Sequence, residues 1–272
     1  MTLRLGVSTT GHSLRILRRL RDEGLTDFFE LGISDTARAE RITAALKDRI
    51  ATIHALPFME GEMEGFMFNP CVDPVGAAAT ANRMAEKALE HGLDYEVYGV
   101  HAGLLGVTAA PGVFKVSDRI SVGEGLENLR TFKGLLKFDG VILENIYGWD
   151  EPSPAIGMTY KELTEMSSIM PLLLDLGHAA VNLEYYRGLS LKALRLEGLE
   201  VREVHVSFVD FHGPPPWDHM EYSKTETNDD ILSKLAELVG QNPDLPVVLE
   251  IKGGLEAIRG HLKLIRRRVG EV

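Results

Sequence analysis

The chain has 272 residues, a formal net charge of −11 and a hydrophobic fraction of 44%. That size suits one α/β domain with a well-buried core. The acidic balance speaks against broad nonspecific nucleic-acid binding, which relies on basic surface, although a local basic patch can coexist with it. Cys71 is the one cysteine, so no intrachain disulfide is possible. No apolar run nears the ~18 residues that span a membrane. The start of the chain lacks the basic stretch and long apolar run of a signal peptide, so a soluble cytoplasmic protein without a membrane partner is expected.

Strand-like and helix-like runs alternate along the chain. Strands are predicted at 3–7, 27–31, 50–54, 96–101, 140–144, 171–175, 202–207 and 246–251. These runs are rich in Val, Ile, Leu and Phe and mostly lack strict polar alternation, the pattern of strands buried on both faces. Amphipathic helices are predicted at 13–24, 36–48, 74–91, 122–137, 159–169, 190–199, 228–240 and 254–268. Ser13, Asp73-Pro74, Ser121, Thr159 and Asn228 read as helix starts. Eight strands each followed by a helix match a single-domain (β/α)₈ barrel over residues 1–272. A doubly wound open sheet is the rival, but Ser8-Thr9-Thr10-Gly11-His12 is not the Gly-rich phosphate loop that such a fold carries after its first strand. Long loops at 55–73, 145–158 and 208–227 all follow strands, which in a barrel gathers them on the catalytic face.

The chemistry sits where these strands end. His54, His101, His178 and His205 close or follow apolar runs, and Glu144, Asp175 and Glu250 hold equivalent positions. A barrel brings such ends into one ring, where imidazole and carboxylate together suit a divalent zinc, manganese, iron or cobalt ion. Seven such groups buried without metal would be costly. After strand seven the chain adds two Asp/His pairs, Asp210/His212 and Asp218/His219, around a stiff Pro214-Pro215-Pro216 run. The sequence leaves both open and leans to Asp218 and His219. Lys252 reads as a contact for a substrate anion or as a surface lysine, and Trp149 and Trp217 either line a substrate pocket or cover the barrel mouth. His12, His91 and His261 read as solvated. Arg266-Arg267-Arg268 closes the last helix, where cations favour the helix dipole.

At these residues the chain resembles the xylose isomerase-like barrels, and among them the endonuclease IV family. The resemblance runs through His54-Ala-Leu-Pro57, Phe68-Asn69-Pro70, His101-Ala-Gly103, Leu143-Glu144-Asn145, Leu174-Asp175-Leu-Gly-His178, His205 and Leu249-Glu250. The family's Asp-x-His loop pair has two matches, Asp210-Phe-His212 by spacing and Asp218-His219 by distance from His205. The resemblance implies one to three metals, typically zinc, bridged by a carboxylate such as Glu144 or Glu250. It implies hydrolysis of a phosphoester, in abasic DNA or a small phosphate ester. The sugar isomerases and epimerases of the same superfamily need one ion on Glu144, Asp175, His205 and Glu250, with the two glutamates as catalytic acid and base; this is the alternative. A barrel that binds metal without catalysis is a third. The acidic, Met-rich stretch 59–68 departs from what a DNA-gripping loop needs.

Overall fold

The computed structural model describes residues 3–33, 36–55, 68–110, 113–116, 119–147, 155–213 and 217–270. Eight parallel strands close into a barrel: β1 (Leu5–Ser8), β2 (Phe28–Ile33), β3 (Ile50–Ala55), β4 (Val97–His101), β7 (Val141–Glu144), β8 (Leu172–Asp175), β9 (Val201–Val206) and β10 (Val247–Leu249). β1 pairs with both β2 and β10, so the sheet has no edge and the open-sheet rival is excluded. Two further strands, β5 (Val107–Ala110) and β6 (Val113–Val116), form an antiparallel hairpin after β4. That hairpin is not among the predicted elements.

Helices α1 (Leu14–Asp22), α2 (Thr36–Leu46), α3 (Pro74–Glu90), α4 (Val122–Leu135), α5 (Tyr160–Ile169), α7 (Glu226–Gln241) and α8 (Leu255–Val269) surround the barrel. Ser13, Asp73, Ser121 and Thr159 each accept a hydrogen bond from their own helix's first turn, as their sequence contexts predict. The main apolar core fills the layer between strands and helices, from Leu5 and Val7 to Ile258 and Leu262. The inward faces carry a separate small plug, Val97, Ile142 and Leu173. Two residues further along the same strands, on the same face, stand Gly99, Glu144 and Asp175. On β7 and β8 the inward face thus changes from apolar to polar at the C-terminal end.

Two predicted helices are corrected. The stretch 190–199 holds only a short turn at Leu191–Ala193, with Leu191, Leu194 and Leu196 packed into the core. The sixth helix instead starts at once after β8, as α6 (Leu176–Ala180), and continues through a wider π-helical turn at Val181–Tyr185. Asp175 causes this: it ends its strand and caps its own helix, accepting from His178 N at 2.6 Å. The second correction concerns Asn228, which does not start α7; Thr225 does. Asn228 lies fully buried and clamps the preceding loop, accepting from Val209 N (2.9 Å) and donating to Val209 O (3.2 Å) and Ser223 O (3.1 Å).

Losing that clamp strands buried backbone groups. Asn228→Ala is expected to destabilise the protein by at least about 1–3 kcal/mol, read as a lower urea midpoint. An unchanged midpoint contradicts the clamp.

Candidate metal centre

Glu144 ends β7 on the inward face and is fully buried. Its two oxygens face different ways. Oε2 lies 2.8 Å from His54 Nε2 and 3.0 Å from His101 Nε2. Oε1 lies 3.5 Å from both His178 Nδ1 and His205 Nδ1. His205 Nδ1 is also 3.3 Å from Glu250 Oε2. Asp175 stands directly opposite His205 in the β8–β9 register. His54 fits because its neighbour across β3–β4 is Gly99; a side chain there would press on the His54 ring and on Leu173.

A second set adjoins the first. Asp218 Oδ2 sits between His178 Nε2 (3.2 Å) and His219 Nε2 (2.9 Å). His178 donates from Nδ1 to Asn145 O at 2.8 Å, so Nε2, hydrogen-bonded to Asp218 Oδ2 in this structure, is the nitrogen that would turn to an ion. Tyr147 donates its hydroxyl to Asp218 Oδ1 at 2.8 Å. His219 holds a left-handed backbone, φ 56°, unusual outside glycine. Its side chain is 28% exposed against 2% for Asp218, so this set forms the mouth of the site.

The nine residues expected to bind metal, His54, His101, Glu144, Asp175, His178, His205, Asp218, His219 and Glu250, are therefore brought together. Asp210 and His212 are not: the first is exposed and spends a carboxylate oxygen on the His212 backbone N–H, and the His212 side chain points to solvent. β10 ends at Leu249, and Lys252 is an exposed loop residue whose N–H donates to His219 O. Trp217 is buried, stacked on Tyr185 at 3.9 Å with its N–H on Gly213 O. Trp149, Pro57 and most of the acidic stretch 59–68 lie outside the described residues.

Two histidines expected in solvent are buried. His12 packs beside Ile251, next to Glu250, and burial pushes its pKa down. His261 donates from Nδ1 to Ala257 O (2.6 Å) and accepts at Nε2 from Tyr222 N (2.7 Å). His91 is exposed as expected.

Sequence reading missed Glu30 and Tyr147. Glu30 is fully buried on β2, with Oε2 2.7 Å from His205 Nε2. Its signal was the one that marked Glu144, a carboxylate inside an apolar strand, Phe28-Phe29-Glu30-Leu31. Glu203, one inward position below His205, is a further fully buried carboxylate; burial and then Glu30 push its pKa up.

The donor set fits a metal. Both ring nitrogens of His54, both oxygens of Glu144, His205 Nδ1 and Asp175 Oδ2 are buried without a hydrogen bond of sound geometry among the described residues. Close approach of lone-pair atoms without hydrogen bonding is what co-ligands of an ion show, and uncompensated burial of such groups is costly. Groups with ligand atoms mutually within 4.8 Å include His54, His101 and Glu144, and separately His178, Asp218 and His219. Without an ion, protons do the neutralising. Burial opposes a charge on His54, but Glu144 and Glu30 outweigh it and raise the pKa to about 9. His219 likewise rises to about 9 against burial, through Asp218 and Glu250. Glu144 and Glu250 fall below the carboxylate range in spite of burial, drawn down by the surrounding histidines.

The chain matches no protein-family model and no curated protein sequence. Solved structures do match in fold. The IolI protein with a bound zinc atom superposes with a TM-score of 0.64 at 15% identity, over 99% of each chain. SacUVDE superposes at 0.59 and 13%, over all of both chains. A xylose isomerase-like TIM barrel/4-hydroxyphenylpyruvate dioxygenase fusion protein superposes at 0.63 and 13%, over 100% of this chain and 44% of that one. The fold is that of the xylose isomerase-like TIM barrels. Among the described residues no helix is long and apolar enough to cross a membrane.

Two outcomes check the site. A raised histidine pKa stabilises the fold fully below the unfolded value of 6.5 and not above the folded one, so the metal-free protein's urea midpoint should fall between pH 6.5 and about 9. A midpoint that rises across that interval contradicts the proton-neutralised cluster. The loop geometry gives the other: His219→Ala should lower bound metal, by elemental analysis, while His212→Ala leaves it unchanged. Equal losses would reassign the loop.

Proposed function

We propose that the protein is a metal-dependent phosphoester hydrolase, similar in chemistry to endonuclease IV, working at a two- or three-metal centre. One observation carries this reading. Glu144 turns one oxygen to His54 and His101 and the other to His178 and His205. A carboxylate flanked by separate imidazole sets suits a bridge between ions, and one ion alone leaves His54, His101 and the Asp218/His219 set unused. In this assignment His54 and His101 would hold one ion with Glu144 Oε2; His205, with Glu250 and Asp175 beside it, would hold a second near the other oxygen; and His178, Asp218 and His219 would hold a third. Zinc suits the imidazole and carboxylate donors, with manganese, iron or cobalt as substitutes.

Paired divalent ions supply activated water and charge neutralisation for the attacking and leaving oxygens of a phosphate ester. The chain's own residues set the frame. Asn145 clamps Asp175 through both amide atoms, at 2.8 and 3.0 Å, and holds the His178 tautomer with its carbonyl. Tyr147 orients Asp218. Glu144 and Glu250 carry the essential carboxylates. The overall charge favours a small phosphate ester over a long nucleic acid, with abasic DNA as the alternative.

The second reading, isomerisation or epimerisation of a sugar at one ion, has its own support. His205 Nδ1 lies 3.5 Å from Glu144 Oε1 and 3.3 Å from Glu250 Oε2, with Asp175 opposite in the strand register, so these four would hold that ion and Glu144 and Glu250 would move the protons.

The deciding assay is cleavage. Wild type loaded with zinc, manganese or cobalt should cleave a model phosphodiester or an abasic duplex. Glu250→Gln should lose metal together with at least about 10²-fold of rate. Absence of cleavage with all three metals, together with exchange of a ketose C–H proton into solvent, transfers the site to the isomerase reading.

A further inference from the structure

Glu30 belongs to none of the ligand sets assigned above, yet it is among the most deeply placed charges in the barrel. It is fully buried on β2, whose partners are β1 and β3, while His205 comes from β9 on the far side of β1 and β10. The two meet only because both side chains point into the barrel. Glu30 Oε2 and His205 Nε2 are 2.7 Å apart in sound hydrogen-bond geometry.

The other edge of the same ring behaves differently. Among the described residues His205 Nδ1 makes no hydrogen bond, though it lies 3.3 Å from Glu250 Oε2 and 3.5 Å from Glu144 Oε1. A neutral imidazole has one N–H and one lone pair. A carboxylate at one edge takes the N–H, which forces the lone pair to the other edge. Here that edge looks at Glu144 and Glu250.

The same atoms permit a rival arrangement. Glu30, His54, His205 and Glu250 can all present a ligand atom within 4.8 Å of one another. There Glu30 would hold an ion itself. Two facts weigh against it. His54 Nδ1 stands 4.0 Å from Glu30, whereas its Nε2 approaches Glu144 to 2.8 Å. The hydrogen bond to Glu30 also occupies the nitrogen that His205 would need for that ion.

We infer that Glu30 is a positioning residue: it accepts the Nε2–H of His205, fixing the ring's tautomer and aiming Nδ1 between Glu144 and Glu250, and it does not ligate metal. This rests on the metal-centre reading above. Partners of this kind, one layer behind a ligating histidine, raise ligand basicity and hold the ring in place, and their loss weakens metal binding by 10–100-fold.

The test uses the full chain, titrated with zinc against a competing chelator, with metal counted by elemental analysis at saturation. Glu30→Gln should weaken the affinity of one ion per chain by roughly 10–100-fold while the saturating count stays that of wild type. Glu30→Asp, which keeps the charge but shortens the reach, should fall between the two. Long-range ¹⁵N spectra of the zinc-loaded wild type should show His205 protonated at Nε2, a readout that needs no variant to fold. A saturating count lower by one ion in Glu30→Gln would make Glu30 a ligand and overturn the inference. So would an affinity within twofold of wild type, or a His205 protonated at Nδ1. A wild type that takes up no metal at all would remove the metal-centre reading and this inference with it.

Discussion

A carboxylate closed inside a parallel barrel has no water to solvate it, and Glu144 is such a group. It is fully buried, on a strand hydrogen-bonded on both sides, with both oxygens lacking a hydrogen bond of sound geometry among the described residues. Burial of that charge is tolerable only where positive charge converges on it. The rest of the site follows from that need. Imidazoles approach from β3, β4, β9 and the start of α6, and Asp175, Glu250, Asp218 and Glu30 then surround the imidazoles. The result is alternating layers of opposite charge, which protons or metal ions can neutralise.

The barrel makes this arrangement possible. On its inward side Val97, Ile142 and Leu173 meet as an apolar plug beside the buried Glu203, and Glu144 and Asp175 follow two residues beyond Ile142 and Leu173. The apolar plug and the strand–helix layer stabilise the scaffold without help from the polar end. Two local devices then set fine geometry. Asp175 ends a strand and caps the next helix, which puts His178 within one turn of it with no intervening loop. Asn228 ties the loop after β9 to α7, so that Asp218 and His219 fold back over the ring while Asp210 and His212 are carried out to solvent.

Much of this was legible in the sequence because strand ends have a simple signature. An apolar run that stops at His, Asp or Glu marks both a buried strand and an inward polar group, and seven site residues carry that mark. Glu30 escaped because its strand continues past it to Ile33 and holds no histidine. Tyr147 escaped because its partner, Asp218, is 71 residues away and only the closed barrel joins them. Solvation of His12 and His261 was misread for a similar reason: a buried imidazole between Ala257 O and Tyr222 N depends on packing that spacing does not reveal. The stretch 190–199 carries leucines at spacings that a helix and an irregular packed segment share. Its register was decided by Asp175, which had already started the helix upstream.

Whether Glu144 bridges ions decides the account. Anomalous diffraction at the zinc absorption edge, from crystals of the full chain grown with zinc, reads this directly. The account predicts separate peaks on the two sides of the Glu144 carboxylate, one beside His54 and His101 and one beside His205 and Glu250. A lone peak among Glu144, Asp175, His205 and Glu250, or none within reach of Glu144, would contradict it.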